Sequence, residues 1–328
     1  MREISLREAI NEALAEEMER DTRVFMMGED IATGGAYAGV TAGLSEKIGT
    51  DRIINTPISE SCFTGAAVGA ALRGYRPIIE YMLGDFVMVA ADQVINQAAK
   101  ARYMSGGRVC VPLTILCPTG GYLSQAAQHS QSLEVFYIHT PGIKVVYPSG
   151  AYSAKGLLKS SIRDDNPVAF LEPKVLWDEV EEVPEEEYII PLGKANIVCG
   201  GSDLTIVAYG YQVKQAKKAL ESQTDYSIEL IDLQTLDPLD LGTILKSVEK
   251  TGRLLLVQED YRVCSLSEHI AYEVNASIDL RSKIEIISSK FAPVPFSPEL
   301  EKDLLPQVED IVSGIQKVMG DSGQKIVG

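Results

Sequence analysis

The sequence has 328 residues, 45% of them hydrophobic, and a formal net charge of −16. This length predicts two domains, because single hydrophobic cores usually stop growing near about 250 residues. The negative charge argues against a nucleic-acid partner. The five cysteines form no CxxC pair and no long apolar run or apolar signal core is present, which predicts reduced thiols, no membrane span and a cytoplasmic location.

The first half of the sequence alternates predicted strands with predicted helices. Ser5 and Glu8, three residues apart, form a capping box at the start of an amphipathic helix. Predicted strands cover residues 23–27, 77–82, 112–117, 143–147 and 167–171, and further predicted helices cover residues 60–71, 87–104 and 151–162. Several of these strands are apolar throughout, which indicates a mostly parallel sheet covered by helices on both faces. Open α/β sheets of this kind bind ligands at the carboxyl ends of their strands.

The second half of the sequence predicts a smaller α/β domain. Predicted strands cover residues 204–208, 228–233, 253–258 and 283–287, and predicted helices cover residues 212–220, 266–277 and 308–319. We therefore divide the chain into a first domain at 1–177, an acidic linker at 178–192, a second domain at 193–320 and a flexible tail at 321–328. Residues 178–328 hold 27 acidic and 14 basic side chains, against 19 and 16 in residues 1–177. This asymmetry indicates a partner surface, and improved solubility is the alternative.

Residues 55–71 are typical of a turn followed by a helix. Pro57 ends the preceding strand, and small residues then recur at helical spacing, with the helix beginning at Glu60. Gly65 and Gly69 lie inside this helix, where glycine costs about 1 kcal/mol relative to alanine. We expect such a helix to approach another backbone closely. Glu60 has two interpretations at this point: a functional carboxylate, or a first-turn acid stabilised by the helix dipole.

Three histidines are present, and one of them stands out. His139 is typical of a turn and His269 lies on a predicted helix without a partner, whereas His129 follows a glycine-rich turn and has polar neighbours. The sequence contains no HExxH, GxSxG or GxxxxGK[ST] motif and no cluster with metal-ligand spacing. Three strand ends carry a carboxylate (Glu60), an aromatic ring (Phe86) and a histidine. This set of side chains lacks sufficient catalytic power alone. A cofactor or a second chain is therefore required.

The sequence resembles the β subunits of thiamine-diphosphate-dependent 2-oxo acid dehydrogenases, the decarboxylating components of pyruvate dehydrogenase-type complexes. The segments that carry the resemblance are residues 28–30, 55–60, 92–100, 102–107, 128–131, 154–158, 162–164, 230–236, 251–253 and 293–297. The resemblance extends from about residue 3 to residue 319. It implies a transketolase-like fold, with a pyrimidine-binding α/β domain followed by a transketolase C-terminal-like domain.

The resemblance also implies roles for four residues. Glu60 would hydrogen-bond a ring nitrogen of the aminopyrimidine and favour the imino tautomer, which removes the proton from the thiazolium carbon. Glu29 would also bind the cofactor, and Phe86 would stack on the pyrimidine ring. His129 would face the substrate and the lipoyl group, donate a hydrogen bond to developing negative charge, and later serve acyl transfer. The catalytic pair is then Glu60 and His129.

Metal ions and partners follow from the same resemblance. In some relatives, the positions of Leu113, Ser161, Asp164 and Asn166 hold a potassium ion, although Asp164 to Pro167 is also typical of a turn. The Gly-Asp-Gly motif that binds diphosphate and Mg²⁺ is absent from this sequence, and in two-chain relatives it lies on the α subunit. An α2β2 heterotetramer that delivers acyl groups to a lipoyl acyltransferase core is implied.

The substrate and the function have alternatives. Pyruvate is favoured, but an acetoin dehydrogenase or a branched-chain 2-oxo acid dehydrogenase would share these motifs. Residues 120–122 depart from the usual pattern of relatives, which affects substrate identity. Residues 263–270 also depart from it, which affects the local packing or the docking of the second domain. A non-catalytic partner that kept the fold predicts loss of the acid at position 60, and a nicotinamide-binding protein predicts GxGxxG after the first strand. The sequence has Glu60 and lacks that motif.

Overall fold

The structure, a computed structural model, describes residues 1–320; the predicted flexible tail at 321–328 lies outside the described residues. The strands are β1 (Arg2–Ser5), β2 (Val24–Gly28), β3 (Ile53–Asn55), β4 (Arg76–Glu80), β5 (Thr114–Thr119), β6 (Lys144–Val146), β7 (Val168–Pro173), β8 (Val180–Val183), β9 (Asn196–Cys199), β10 (Leu204–Ala208), β11 (Ile228–Asp232), β12 (Thr235–Asp237), β13 (Leu254–Tyr261) and β14 (Glu285–Ser289). The helices are α1 (Leu6–Arg20), α2 (Leu44–Ile48), α3 (Glu60–Leu72), α4 (Ala99–Met104), α5 (Glu134–Ile138), α6 (Ala151–Arg163), α7 (Tyr211–Glu221), α8 (Leu241–Thr251), α9 (Leu266–Ser277), α10 (Pro298–Leu304) and α11 (Val308–Gly320).

The larger sheet has seven strands in the order β12-β6-β7-β5-β4-β2-β3. All neighbours are parallel except β12, which pairs antiparallel with β6 at the edge. Every residue of β4, β5 and β7 is buried. These strands therefore consist mainly of apolar residues and do not alternate polar with apolar ones. The predicted fold class is confirmed for this half of the chain.

The smaller sheet has the order β14-β13-β10-β11-β9, and only β9 runs antiparallel to its neighbour. Helices α7 and α11 pack on one face and α8 and α9 on the other. In the residues described, 1–320, no helix is long and apolar enough to cross a membrane.

The segment predicted as an acidic linker contains regular structure. Strand β8 lies within it and pairs antiparallel with β1 at the start of the chain. Strand β12 belongs to the second half of the chain in sequence, but it pairs with β6 at the edge of the seven-stranded sheet. The chain therefore crosses between its two halves more often than a simple two-domain division implies, and our division at 178–192 stays a proposal.

The prediction of one α-helix at 87–104 is wrong in its geometry. The helical segment begins earlier, as a 3₁₀ turn at Gly84–Ala90, continues as a π-helix at Gln93–Ala98 and ends as α4. Apolar spacing cannot distinguish these three helical forms over such short lengths, because the 3₁₀- and π-helix repeats each differ from that of the α-helix by less than one residue per turn. π-helical turns occur frequently at functional sites, and this one packs against α3.

Candidate active site

The carboxyl ends of three neighbouring strands form the edge on which the site is built. Gly28 of β2 is paired with Asn55 of β3 on one side and Glu80 of β4 on the other. The residues that follow these strands therefore come together at one edge of the sheet. A side chain at Gly28 would meet the Glu80 carbonyl oxygen at 2.8 Å, so glycine permits the close approach of β2 and β4 here.

Glu60 is the first residue of α3, as predicted, and only 6% of its surface is exposed. Its N-terminal neighbour Ser59 makes no side-chain capping bond. The Glu60 carboxylate has no hydrogen-bond partner in the part of the chain that the structure describes. Although the residue as a whole is buried, its carboxylate oxygens are not among the fully buried unpaired atoms, so a ligand can reach them. The carboxylate can therefore accept a hydrogen bond from a ligand.

Glu29, at the end of β2, is the second carboxylate at this edge and is 7% exposed. Its Oε1 is buried without a hydrogen-bond partner. Burial, and then the neighbouring negative charge of Glu60, raise the pKa of Glu29. The two predicted cofactor carboxylates are thus close enough to influence each other, and both have unused acceptor capacity. Two carboxylates that can still accept hydrogen bonds fit the polar edge of an aminopyrimidine ring.

Phe86 and His129 are brought into contact by the tertiary structure. Phe86 lies on the helical segment after β4, which packs against α3, and His129 lies in the connection between β5 and α5. Their ring centroids are 5.7 Å apart with an interplanar angle of 84°, an edge-to-face arrangement. The His129 side chain is exposed, so its imidazole is available to a bound molecule.

The close backbone approach expected at α3 is not found within the described chain. The position of Gly65 faces the side chain of Gln93, and Gly69 faces open space. The exposed face of α3 therefore presents small residues to the solvent.

The predicted potassium site is formed only in part. The Asp164 carboxylate pairs with Lys144 and accepts hydrogen bonds from both the backbone and the side chain of Asn166, each at 2.9 Å. Ser161 donates to the Leu157 carbonyl at 2.8 Å, as helical serines commonly do. The Asp164 carboxylate is thus already paired with a cation and with donors, and the carbonyl of Leu113 accepts from Val168. The potassium site stays a prediction.

A set of residues around His129 was missed by sequence reasoning. We define the His129 loop as residues 120–132. Four buried charged side chains contact or surround it: Asp85, Lys174, Glu259 and Glu301. Asp85, Lys174 and Glu259 follow predicted strands, so a search for polar residues at strand ends would have found them. Glu301 comes from the second half of the chain, where no local signal marks it.

The fold has known counterparts. The family described as transketolase, pyrimidine binding domain, matches residues 2–178, and the family described as transketolase, C-terminal domain, matches residues 193–311. The solved structure of a split-gene transketolase, an inactive β4 tetramer, matches with a TM-score of 0.78 at 18% identity, over 97% of this chain and 99% of that one. The chain thus has the two-domain transketolase fold.

Two curated relatives narrow the family. The β subunit of acetoin:2,6-dichlorophenolindophenol oxidoreductase from Cupriavidus necator is 46% identical, over 97% of this chain and 98% of its own length. The β subunit of the pyruvate dehydrogenase E1 component from Rickettsia felis is also 46% identical, over 96% of this chain and 98% of its own length. The chain belongs to the family of thiamine-diphosphate-dependent 2-oxo acid dehydrogenase β subunits, which work with a partner α subunit.

Proposed function

We propose that this chain supplies half of an active site that oxidatively decarboxylates a 2-oxo acid, with pyruvate the favoured substrate. The acyl group would pass to a lipoyl group of an acyltransferase partner. The observation that carries the proposal is Glu60, a buried residue whose accessible carboxylate has no hydrogen-bond partner within residues 1–320. It lies on the helix that packs against the segment carrying Phe86, which in turn contacts His129.

Each of these residues has a distinct task in the proposal. When bound, thiamine diphosphate supplies a carbon nucleophile and an electron sink. Glu60 holds a proton against a pyrimidine ring nitrogen, Glu29 completes the polar wall beside it, and Phe86 stacks on the ring, which is worth about 1 kcal/mol beyond burial. The exposed imidazole of His129 donates to negative charge that develops on the substrate and serves acyl transfer.

The surface beside the site supports a partner that covers it. Ile58, just before α3, is 84% exposed, and Met88 and Val89 on the neighbouring helical segment are also exposed. Cys62 and Gly69 are small residues on the exposed face of α3. Apolar surface of this kind is typical of a protein interface. We propose that the α subunit packs here in an α2β2 heterotetramer and holds the diphosphate and Mg²⁺.

The identity of the substrate is tested by assays of the assembled enzyme. The chain is co-expressed with its α subunit and assayed against pyruvate, branched-chain 2-oxo acids and acetoin with an artificial electron acceptor. We expect pyruvate to give the highest kcat/KM. The relatives named for acetoin and for pyruvate are equally similar to this chain, so acetoin is the second candidate substrate. A higher kcat/KM for acetoin than for pyruvate would replace pyruvate in the proposal.

The acidic second half supports a docking site for the acyltransferase. A groove between β14, α10 and α11 is lined by four acidic side chains (Glu299, Asp303, Glu309 and Asp310) and by two lysines, Lys302 and Lys290, the second of which pairs with Asp303 at 2.8 Å. We propose that a basic segment of the acyltransferase binds this groove. Attraction between opposite charges accelerates association, and salt screens it as the Debye length falls from about 10 Å at 0.1 M to about 3 Å at 1 M.

We expect the association rate with the acyltransferase to fall at least about tenfold across that salt range. The double variant Asp303→Lys/Glu309→Lys should lower the rate further at low salt. Asp310 is left unchanged because its carboxylate accepts the Gln307 backbone N–H at 2.8 Å. The matched control reverses two exposed linker charges, Glu185→Lys/Glu186→Lys, which alters the net charge equally. A flat salt response, or equal effects of the two double variants, would assign the acidity to solubility.

A further inference from the structure

Lys174 is a buried cation beside the His129 loop. It follows β7, and it is 2% exposed. The end of β7 is paired with the end of β5, where the loop begins, since Pro173 is opposite Thr119. Lys174 can therefore reach the loop directly. Its ammonium donates to the Gln125 side-chain oxygen at 2.6 Å and to the backbone carbonyl of His129.

Three buried carboxylates tie the same loop to its surroundings. Asp85, adjacent to Phe86, accepts the backbone N–H and side-chain amide of Gln131 at 3.2 and 2.9 Å. Glu259 accepts from the backbone N–H of Gly121 at 2.6 Å. Glu301 accepts from the backbone N–H of Ser124 at 2.8 Å. The loop is thus held at both ends, and two of its anchors belong to the second half of the chain.

Lys174 offsets part of the negative charge of these anchors. Burial lowers the pKa of Lys174 to about 8, and the negative charges of Asp85, Glu259 and Glu301 oppose that shift. Burial in turn raises the pKa values of Asp85 and Glu259, and Lys174 opposes both shifts. Removal of the ammonium would leave these carboxylates in a low-dielectric environment without their cation, which is costly.

The backbone of the loop also requires external support. Tyr122, Ser124 and Ala126 have φ angles of 69°, 54° and 65°, in the left-handed region that residues with a side chain rarely adopt. Each such residue persists only where the surrounding contacts favour it. The hydrogen bonds from Lys174 and to Glu301 fall on this stretch, so the loop conformation depends on them.

We propose that Lys174 is a positioning residue for His129. Its ammonium fixes the His129 carbonyl and the Gln125 side chain, and it thereby holds the imidazole against Phe86 in the orientation that acyl transfer requires. Lys174 acts through His129 and does not touch the substrate. The catalytic consequence rests on the proposed function of His129, whereas the structural consequence does not.

The structural consequence is tested by hydrogen exchange in the full chain co-expressed with its α subunit. Lys174→Met should accelerate exchange of the loop amides by about tenfold or more, because it removes two anchoring hydrogen bonds. The control is Lys159→Met. Lys159 is equally buried in the same half of the chain and pairs with Glu16 at 2.8 Å, away from the loop. Lys159→Met should leave loop exchange unchanged.

Gln125→Leu provides a second variant if Lys174→Met fails to fold, because Gln125 is only half-buried. It removes one of the two bonds from Lys174, together with the bond that Gln125 donates to the Tyr37 hydroxyl. It should accelerate loop exchange to a smaller extent. Unchanged loop exchange in Lys174→Met, or in Gln125→Leu where only that variant folds, would overturn the proposal. Equal acceleration by Lys159→Met would also overturn it, since the effect would then reflect general destabilisation.

The catalytic consequence is tested by the ratio of two rates in the same enzyme: acyl transfer to lipoyl groups, and decarboxylation with an artificial acceptor. His129→Ala and Lys174→Met should both lower this ratio, by about tenfold, and Lys159→Met should not. The double variant should show no further fall, because both changes act on one group. An additive fall would overturn the proposal. If His129→Ala leaves the ratio unchanged while Lys174→Met accelerates loop exchange, the proposed role of His129 fails and the loop anchor stands.

Discussion

Glu60→Gln is expected to lower turnover of the assembled enzyme by roughly 10²–10⁴-fold, the usual contribution of a positioned proton-transfer group. Glutamine has the size and polarity of glutamate but cannot share a proton with a pyrimidine nitrogen. Glu60 is a buried residue whose carboxylate has no hydrogen-bond partner in residues 1–320, so the substitution removes no bond that the described fold relies on. We therefore expect the thermal unfolding midpoint and the assembly with the α subunit to be unchanged.

The matched control is Glu8→Gln. Glu8 is also a first-turn acid, and it closes the capping box of α1 by accepting from the Ser5 backbone N–H at 2.7 Å. If helix-start electrostatics explained Glu60, the two variants would behave alike, each with a small loss of stability and nearly full turnover. Activity of Glu60→Gln within about tenfold of the unmodified enzyme would leave Glu60 as a helix-start acid and remove the central element of the proposed function.

The isolated chain is expected to bind thiamine diphosphate at least about 10²-fold more weakly than the assembly with its α subunit. The sequence lacks the Gly-Asp-Gly motif for diphosphate and Mg²⁺. The site residues Glu60, Glu29 and Phe86 contact only the pyrimidine end in our proposal. Each missing charge-assisted contact to the diphosphate is worth roughly 1.5–3 kcal/mol, so losing a few of them accounts for this difference.

Calorimetry with Mg²⁺ present measures this directly. The titration is run on the chain alone and on the chain co-expressed with its α subunit, and no turnover is needed for the comparison. Tight, stoichiometric binding by the chain alone would contradict the division of the cofactor site between two subunits. The Glu60→Gln assembly serves as a further reference, since it keeps the diphosphate contacts and loses only the pyrimidine interaction.

Local rules of the sequence were sufficient for several elements of this protein. The capping box at Ser5 and Glu8 is confirmed. It was predictable because its two residues are only three positions apart. The start of α3 at Glu60 was predictable because Pro57 ends the strand and small residues then repeat at helical spacing. The parallel sheet was predictable because strands buried on both faces, such as β4 and β5, consist mainly of apolar residues.

Features that join distant parts of the chain escaped sequence reasoning. The pairing of β8 with β1, and of β12 with β6, unites segments that carry no shared local signal. The three successive helical forms between Gly84 and Met104 likewise depend on packing against α3 rather than on a repeat in the sequence.

The sequence by itself placed Glu29, Glu60 and Phe86 after the ends of strands in one parallel sheet, because apolar strands alternate with polar turns. The tertiary structure decided how His129 is held. Its loop depends on Lys174 at the end of another strand and on Glu301, whose bond to Ser124 spans 177 residues. Such contacts are set by how the sheets and helices pack, since a buried charge can be placed only where distant parts of the chain supply its partners.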